Sequence, residues 1–344
     1  MKFESEVAVC FDDVLLVPQY SGIASRSDVR TDDIFPRLRL PVIASNMDSI
    51  TEIGMMVEAN KSGAMGILHR YMTPKDTLDQ MKRAEVAVDG PKCAAVGAMK
   101  SCEEKQRIDL LLENISDLWL CVDIAHGHAP FVAETVRYIK ECRPEVFVIA
   151  GNVATAQGGD FLAEAGADAL RVGVGGGSIC STRIKTGCGL PTLASVLDCA
   201  ENMKTKTLII ADGGLKTAAH ASIAIAAGAS AVMLGGMLAG TDAVPKWTKE
   251  GIGIEYRGMA SAAAKKDFGR PEVMAEGVAR TVTCKAVGST KKMFEFIREG
   301  IVSAASYQGA SNMAEFQEKA VMRRVSTLTV QESYPHFEDT DVLN

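Results

Sequence analysis

The stretch Glu164-Ala165-Gly166-Ala167-Asp168-Ala169-Leu170-Arg171-Val172-Gly173 reads as the end of a helix, a tight turn at glycine and a buried strand. It is echoed by Ala226-Ala227-Gly228-Ala229-Ser230-Ala231-Val232-Met233-Leu234-Gly235. Any two helix–strand units share this look, so the echo alone does not prove repetition. The rest of the chain carries the same rhythm. Apolar, strand-like segments recur at Pro41–Ala44, Ala64–Leu68, Cys93–Val96, Trp119–Val122, Val146–Ala150, Ala169–Val172, Thr207–Ala211 and Ala231–Leu234, with amphipathic helical stretches between them. Continuously apolar strands alternating with helices indicate a parallel sheet covered on both faces. Eight such units are the repeat of a (β/α)8 TIM barrel. A doubly wound open sheet is the alternative.

The chain has 344 residues, 47% apolar and 23% charged, with a formal net charge of −6. That is long enough to bury a large core without metals or disulfides. The basic residues do not cluster, which argues against a nucleic-acid surface. A small anion remains a reasonable ligand, because a few amides and cations bind one locally. The nine cysteines form no CxxC pair and have no zinc spacing. No apolar run reaches the ~18 residues of a membrane span, and the N-terminus lacks a signal-peptide core. The expectation is a soluble, cytoplasmic protein with thiols kept reduced.

No linker interrupts the chain, so residues 1–344 read as one catalytic domain. Residues 1–40 precede the first strand, and residues 244–344 form an appendage. Within it, Glu255–Gly277 reads as loop and short helix, Lys291–Ser306 as an amphipathic helix, and Gln331–Asn344 as a polar tail.

In such a barrel, reactive groups lie at the C-terminal ends of the strands. Those positions hold Ser45, Asn46, Met47 and Asp48; His69 and Arg70; Asp123, His126 and His128; and Gly151 and Asn152. The sixth strand leads into Gly175-Gly176-Gly177-Ser178-Ile179-Cys180-Ser181-Thr182. The seventh ends in Asp212-Gly213-Gly214 and the eighth in Gly235-Gly236. Taken singly, each could be a helix cap or a loop residue. Together, glycines after strands six, seven and eight suggest a phosphorylated ligand, with Ser178, Gly214 and Gly236 as donors and Asp212 accepting from ribose hydroxyls. Cys180 is the candidate nucleophile. Thr182 could relay a proton if a carboxylate assists it, and Glu276 is the candidate.

These residues resemble the IMP dehydrogenase/GMP reductase family along nearly the whole chain. The resemblance runs through Phe11-Asp12-Asp13-Val14-Leu15-Leu16, Ser25-Arg26-Ser27-Asp28-Val29, Ala44-Ser45-Asn46-Met47-Asp48 and Ala150-Gly151-Asn152-Val153. It continues through the cysteine loop, Ala211-Asp212-Gly213-Gly214, Met233–Gly240 and Tyr256-Arg257-Gly258-Met259. It implies a (β/α)8 barrel assembled as a homotetramer. It also implies attack of Cys180 on C2 of a purine nucleotide. Ser178, Gly214, Gly236 and Tyr256 would hold the phosphate and Asp212 the ribose. Met259 and its neighbours, with Gly258 among them, would meet the base. Ser45, Met47, Gly213 and Gly235 group with the nucleotide site. Asp123 and Asn152 would flank the nicotinamide, with Arg70 and Ala125 beside them. Carbonyls of Gly175, Gly177 and Cys180 correspond to a potassium site.

Typical dehydrogenases of the family carry CBS modules after the second barrel unit, and only a few residues separate Lys82-Arg83-Ala84-Glu85 from Lys92-Cys93 here. Their hydrolytic flap has an Arg-Tyr pair; Phe268–Gly277 has Arg270 and no tyrosine. The resemblance therefore implies an NADPH-dependent reductase taking GMP to IMP and ammonia. The alternatives are a dehydrogenase without regulatory modules, using NAD on IMP, and a nucleotide-binding regulator without catalysis. Some features point to the dehydrogenases: Asp123–His128, Glu332–His336, Arg70 in place of the reductases' lysine, and Val273 where they have arginine. Gly176 stands where both branches usually have proline.

Overall fold

Alternation along each strand divides the core in two. Ile43, Ile67, Cys93, Ala95, Trp119, Cys121, Ile149, Ala169, Ile210 and Met233 form one buried cluster. Their sequence neighbours Val42, Ala44, Leu68, Ala94, Leu120, Val122, Val148, Leu170, Ile209 and Leu234 belong to a second, larger one. Successive strand side chains face opposite sides, so the first cluster fills a barrel and the second seats helices around it.

The structure, a computed structural model, describes residues 7–245, 253–259, 261, 266, 277, 279–283, 288–326 and 328–333. Eight parallel strands close into the barrel: β1 Val42–Ala44, β2 Met65–Leu68, β3 Lys92–Val96, β4 Leu118–Asp123, β5 Phe147–Val153, β6 Ala169–Val172, β7 Leu208–Asp212 and β8 Ala231–Leu234. β8 pairs back onto β1, with Val42 opposite Val232. This settles the choice between barrel and open sheet. At the end where the strands begin, Trp119 and Phe147 stack with ring centroids 4.1 Å apart, and Phe35 packs against both.

The helices lie outside: α1 Ile53–Lys61, α2 Pro74–Ala87, α3 Cys102–Asn114, α4 Pro130–Cys142, α5 Ala156–Ala163, α6 Thr192–Asn202, α7 Ala218–Ala226 and α8 Thr290–Tyr307. Most start on a hydroxyl cap. Thr73, Ser101, Thr155, Thr217 and Ser289 each accept a first-turn amide hydrogen, worth about 1 kcal/mol apiece. Among the described residues no helix is long and apolar enough to cross a membrane.

The appendage departs from expectation in one place. Gly253–Arg257 is not loop but a strand, paired antiparallel with Ala279–Thr283, with Tyr256 opposite Arg280. Both segments carry β-branched or aromatic residues at close intervals, which favour extended chain. A second small ladder joins Val14–Leu16 to Met322–Arg324. Glu276, Arg270 and residues 334–344 lie outside the described residues.

Candidate active site

The C-terminal mouth of the barrel opens into a cleft of about 770 Å³. The loop from β6 to the short helix Thr182–Thr186 runs along one wall. Gly173 begins that loop with φ +142°, and a Cβ there would lie 2.0 Å from the Asp212 carbonyl oxygen. Gly213 has φ +89°, and its Cβ position lies 3.0 Å from the Gly177 nitrogen. The loops after β6 and β7 can therefore touch only because both positions are glycine.

Cys180 sits on this loop, its thiol 3.1 Å from Thr182 Oγ1. An isolated antiparallel bridge joins Cys180 to Gly277, just before the strand Ala279–Thr283. The hairpin thus reaches back to the cysteine. Glu276, the carboxylate read beside it in the sequence, lies outside the described residues.

A polar pocket lies beside the cysteine. Ser178 Oγ and the Tyr256 hydroxyl are 3.2 Å apart. Cβ positions at Gly235 and Gly236 fall 3.2 and 3.6 Å from that Tyr256 hydroxyl. Burial pushes the Tyr256 phenol up, against the opposing effect of its hydrogen bond with Ser178. The Cβ position of Gly214 lies 3.5 Å from the Gly176 carbonyl oxygen, so the β7 loop stacks against the cysteine loop.

Across the cleft is a set of charges. Arg171 reaches Asp123 Oδ1 at 2.5 Å and Asp212 Oδ2 at 2.8 Å. Asn152 donates to Asp212 Oδ2 at 2.7 Å and to the Gly173 carbonyl at 2.8 Å. Arg70 lies 3.5 Å from Asp123 and 3.7 Å from Glu104. Glu104 is pinned by the Gly97 amide at 2.7 Å and flanked by Arg107 at 3.4 Å. Burial raises the Asp123 carboxyl, but Arg171 and Arg70 together outweigh it and hold it below its usual range.

Of the residues read as candidates, Ser45, Met47, Arg70, Asp123, Ala125 and Asn152 border the cleft, as do Gly175, Gly177, Ser178, Cys180 and Thr182. Asp212, Gly213, Tyr256, Gly258 and Met259 complete that border. Gly214, Gly235 and Gly236 lie just behind it. Asp48 and His69 face a separate recess of about 390 Å³. His128 turns away to pack on Phe161, with centroids 5.0 Å apart.

Arg171, Glu104 and Arg107 were not read as site residues. For Arg171 the signal was present. Residues 119, 121 and 123 face the barrel interior, and 169 and 171 occupy the matching file on β6, so alternation alone puts a guanidinium among the strand-end carboxylates.

A closed parallel barrel whose mouth joins a cysteine loop to a glycine-walled polar pocket defines a nucleotide-binding (β/α)8 enzyme. The model of the IMP dehydrogenase / GMP reductase domain matches residues 8–336, and the chain belongs to that family. It is 34% identical to the GMP reductase of Phytophthora infestans over 94% of this chain and 92% of that protein. It is 31% identical to the inosine-5'-monophosphate dehydrogenase of Nitrosopumilus maritimus over 97% of this chain and 99% of that protein. A crystal structure of a cysteine-to-alanine variant of Trypanosoma brucei GMP reductase, in complex with guanosine 5'-monophosphate, superposes with a TM-score of 0.86. That pair is 27% identical, with 97% of this chain and 98% of the other covered. The protein is a purine nucleotide oxidoreductase.

Proposed function

We propose that the chain is an NADPH-dependent GMP reductase, consuming GMP, NADPH and two protons to yield IMP, NADP+ and ammonium. The observation that carries this reading is the placement of Cys180 and Thr182 in the same cleft as the Ser178–Tyr256 pocket. A phosphate held between Ser178, Tyr256 and the amides behind them would leave C2 of the base facing the cysteine. The Cys180 thiolate adds to C2. Thr182, with Glu276, passes a proton to the amino group, which leaves as ammonia. Asp123 and Asn152 would hold the dihydronicotinamide, whose chemistry would be delivery of a hydride to C2. The C–S bond then breaks, returning the thiolate and releasing IMP.

Two features favour reductase over dehydrogenase. α2 ends at Ala87 and β3 begins at Lys92, so the barrel has no insertion there. The segment Phe268–Gly277 contains no tyrosine. The dehydrogenase reading retains support from Asp123–His128 and from the Nitrosopumilus relative.

The carbonyls of Gly175, Gly177 and Cys180 offer neutral oxygen donors of the kind potassium takes. The Gly177 carbonyl accepts the Cys180 amide at 3.0 Å and keeps a second lone pair. A potassium ion held there would stiffen the loop that carries the nucleophile. Assembly as a homotetramer follows the family resemblance, and a cytoplasmic setting suits the described cysteines, all of them free.

The test follows reduced-nicotinamide absorbance in two mixtures, GMP with NADPH and IMP with NAD plus potassium. Loss of absorbance in the first, with IMP and ammonia formed, is the expected outcome. A gain in the second alone would replace this reading with the dehydrogenase. Nucleotide binding without turnover in either would leave a regulator.

A further inference from the structure

We infer that the buried ion pair between Asp48 and Arg257 is a strut that positions the nucleotide half of the cleft and leaves the cofactor half alone. The inference rests on the proposed reading that Tyr256 and Met259 meet the nucleotide.

The two residues come from opposite ends of the sequence. Asp48 follows β1, and Arg257 ends the strand Gly253–Arg257. Their relative exposures are 1% and 2%. Arg257 Nη2 lies 2.5 Å and Nε 3.0 Å from Asp48 Oδ2. Two further contacts join the same segments. The Arg257 amide donates to Ser49 Oγ at 3.4 Å, and the Asp48 amide donates to Met259 Sδ at 3.3 Å.

Desolvation offsets most of the attraction within a buried ion pair, so such a pair is a poor source of net stability. Its value here lies in what it aligns. Strand alternation turns Tyr256 and Arg257 to opposite sides. Arg257 faces Asp48, while Tyr256 faces Ser178 across the pocket read as the phosphate site. Met47 precedes Asp48 and borders the cleft, and Met259 follows two residues after Arg257 and also borders it. One ion pair therefore fixes two walls of the nucleotide site. The strand paired with Gly253–Arg257 is preceded by Gly277, which bridges to Cys180. The cofactor half also has anchors of its own: Asp123 is held by Arg171, and Asn152 donates to the Gly173 carbonyl and to Asp212, while Asn46, two residues before Asp48, gives Asp123 a further hydrogen bond.

Asp48→Asn, Arg257→Lys and Arg257→Ala test the assignment through three readouts: KM for GMP, KM for the reduced cofactor, and the calorimetric Kd for GMP. Asp48→Asn and Arg257→Ala are expected to weaken GMP by roughly tenfold to a hundredfold, the scale of a small misplacement, with the cofactor KM unchanged. Arg257→Lys keeps the charge and should recover part of the loss. A purely structural role would lower the active fraction without splitting the two KM values. Equal rises in both, or an unchanged GMP Kd in a folded variant, would overturn the strut. Should Arg257→Ala fail to fold, the other two variants decide. Should the parent protein not turn over GMP, the proposed reaction falls. The strut is then judged on the Kd values for GMP and IMP, and values equal to the parent's overturn it.

Discussion

Arg171 Nη2 lies 2.8 Å from Asp212 Oδ2, while its other terminal nitrogen lies 2.5 Å from Asp123. One guanidinium thus ties the ends of β4 and β7 from its place on β6. Removing it leaves two carboxylates facing each other, with only Arg70, 3.5 Å from Asp123, as a neighbouring cation. Breaking such a pair from one side costs about 3–5 kcal/mol. Arg171→Met should lose stability on that scale in urea denaturation, and Arg171→Met with Asp123→Asn should recover part of it. A single variant as stable as the parent would count against the assignment.

The same pair sets a pH dependence. Burial raises the Asp123 carboxyl, but Arg171 and Arg70 together outweigh it, so its folded pKa lies below the unfolded value of about 3.9. A depressed carboxylate contributes stability above the unfolded pKa and loses it as pH falls through the folded one. The stability gap between the parent and Asp123→Asn should be full above about pH 4 and shrink in stronger acid. Urea midpoints measured across that range give the answer. A gap that stays constant down to the acid end would contradict it.

Cys180→Ala should abolish turnover while GMP still binds, because Ser178, Tyr256 and Asp212 remain. Thr182→Val removes the hydroxyl 3.1 Å from the thiol and should lower kcat by roughly a hundredfold, within the usual range for a lost proton-transfer group. Steady-state assays paired with calorimetry separate the two effects. Residual turnover by Cys180→Ala near the parent rate would sink the covalent route.

Much of this was legible in the sequence. Each barrel strand was found within three residues of its observed bounds at either end, because buried parallel strands read as apolar runs. The cysteine loop and the strand-end glycines were legible as well, since the fold fixes where such residues point. What escaped depended on partners distant in sequence. Asp48 and Arg257 are 209 residues apart, and no local pattern pairs them. Glu104 and Arg107 lie on α3, where their spacing reads as an ordinary solvated helix face, yet both are buried, Glu104 against Arg70 and Arg107 against Glu104. The strand Gly253–Arg257 escaped, with Glu255–Gly277 read as loop and short helix, because it is short and its partner Ala279–Thr283 lies beyond a long connection.

Gly176 carries one more prediction. A Cβ there would lie 2.5 Å from Thr192 Oγ1, a buried hydroxyl with no hydrogen-bond partner. Proline at position 176 would restrict the unfolded chain and by that route add about 0.4–1 kcal/mol. Crowding against Thr192 would cost about 1–3 kcal/mol, as overpacking does. The clash outweighs the entropy, so Gly176→Pro should destabilise the protein. Thr192→Ala removes an unsatisfied buried hydroxyl and should be neutral or stabilising by about 1 kcal/mol. In the double variant the clash is gone and the proline's entropic gain remains, so it should exceed Gly176→Pro by more than Thr192→Ala adds to the parent. Denaturant midpoints of the four proteins complete the cycle. Simple additivity would mean that Thr192 is not what keeps position 176 a glycine.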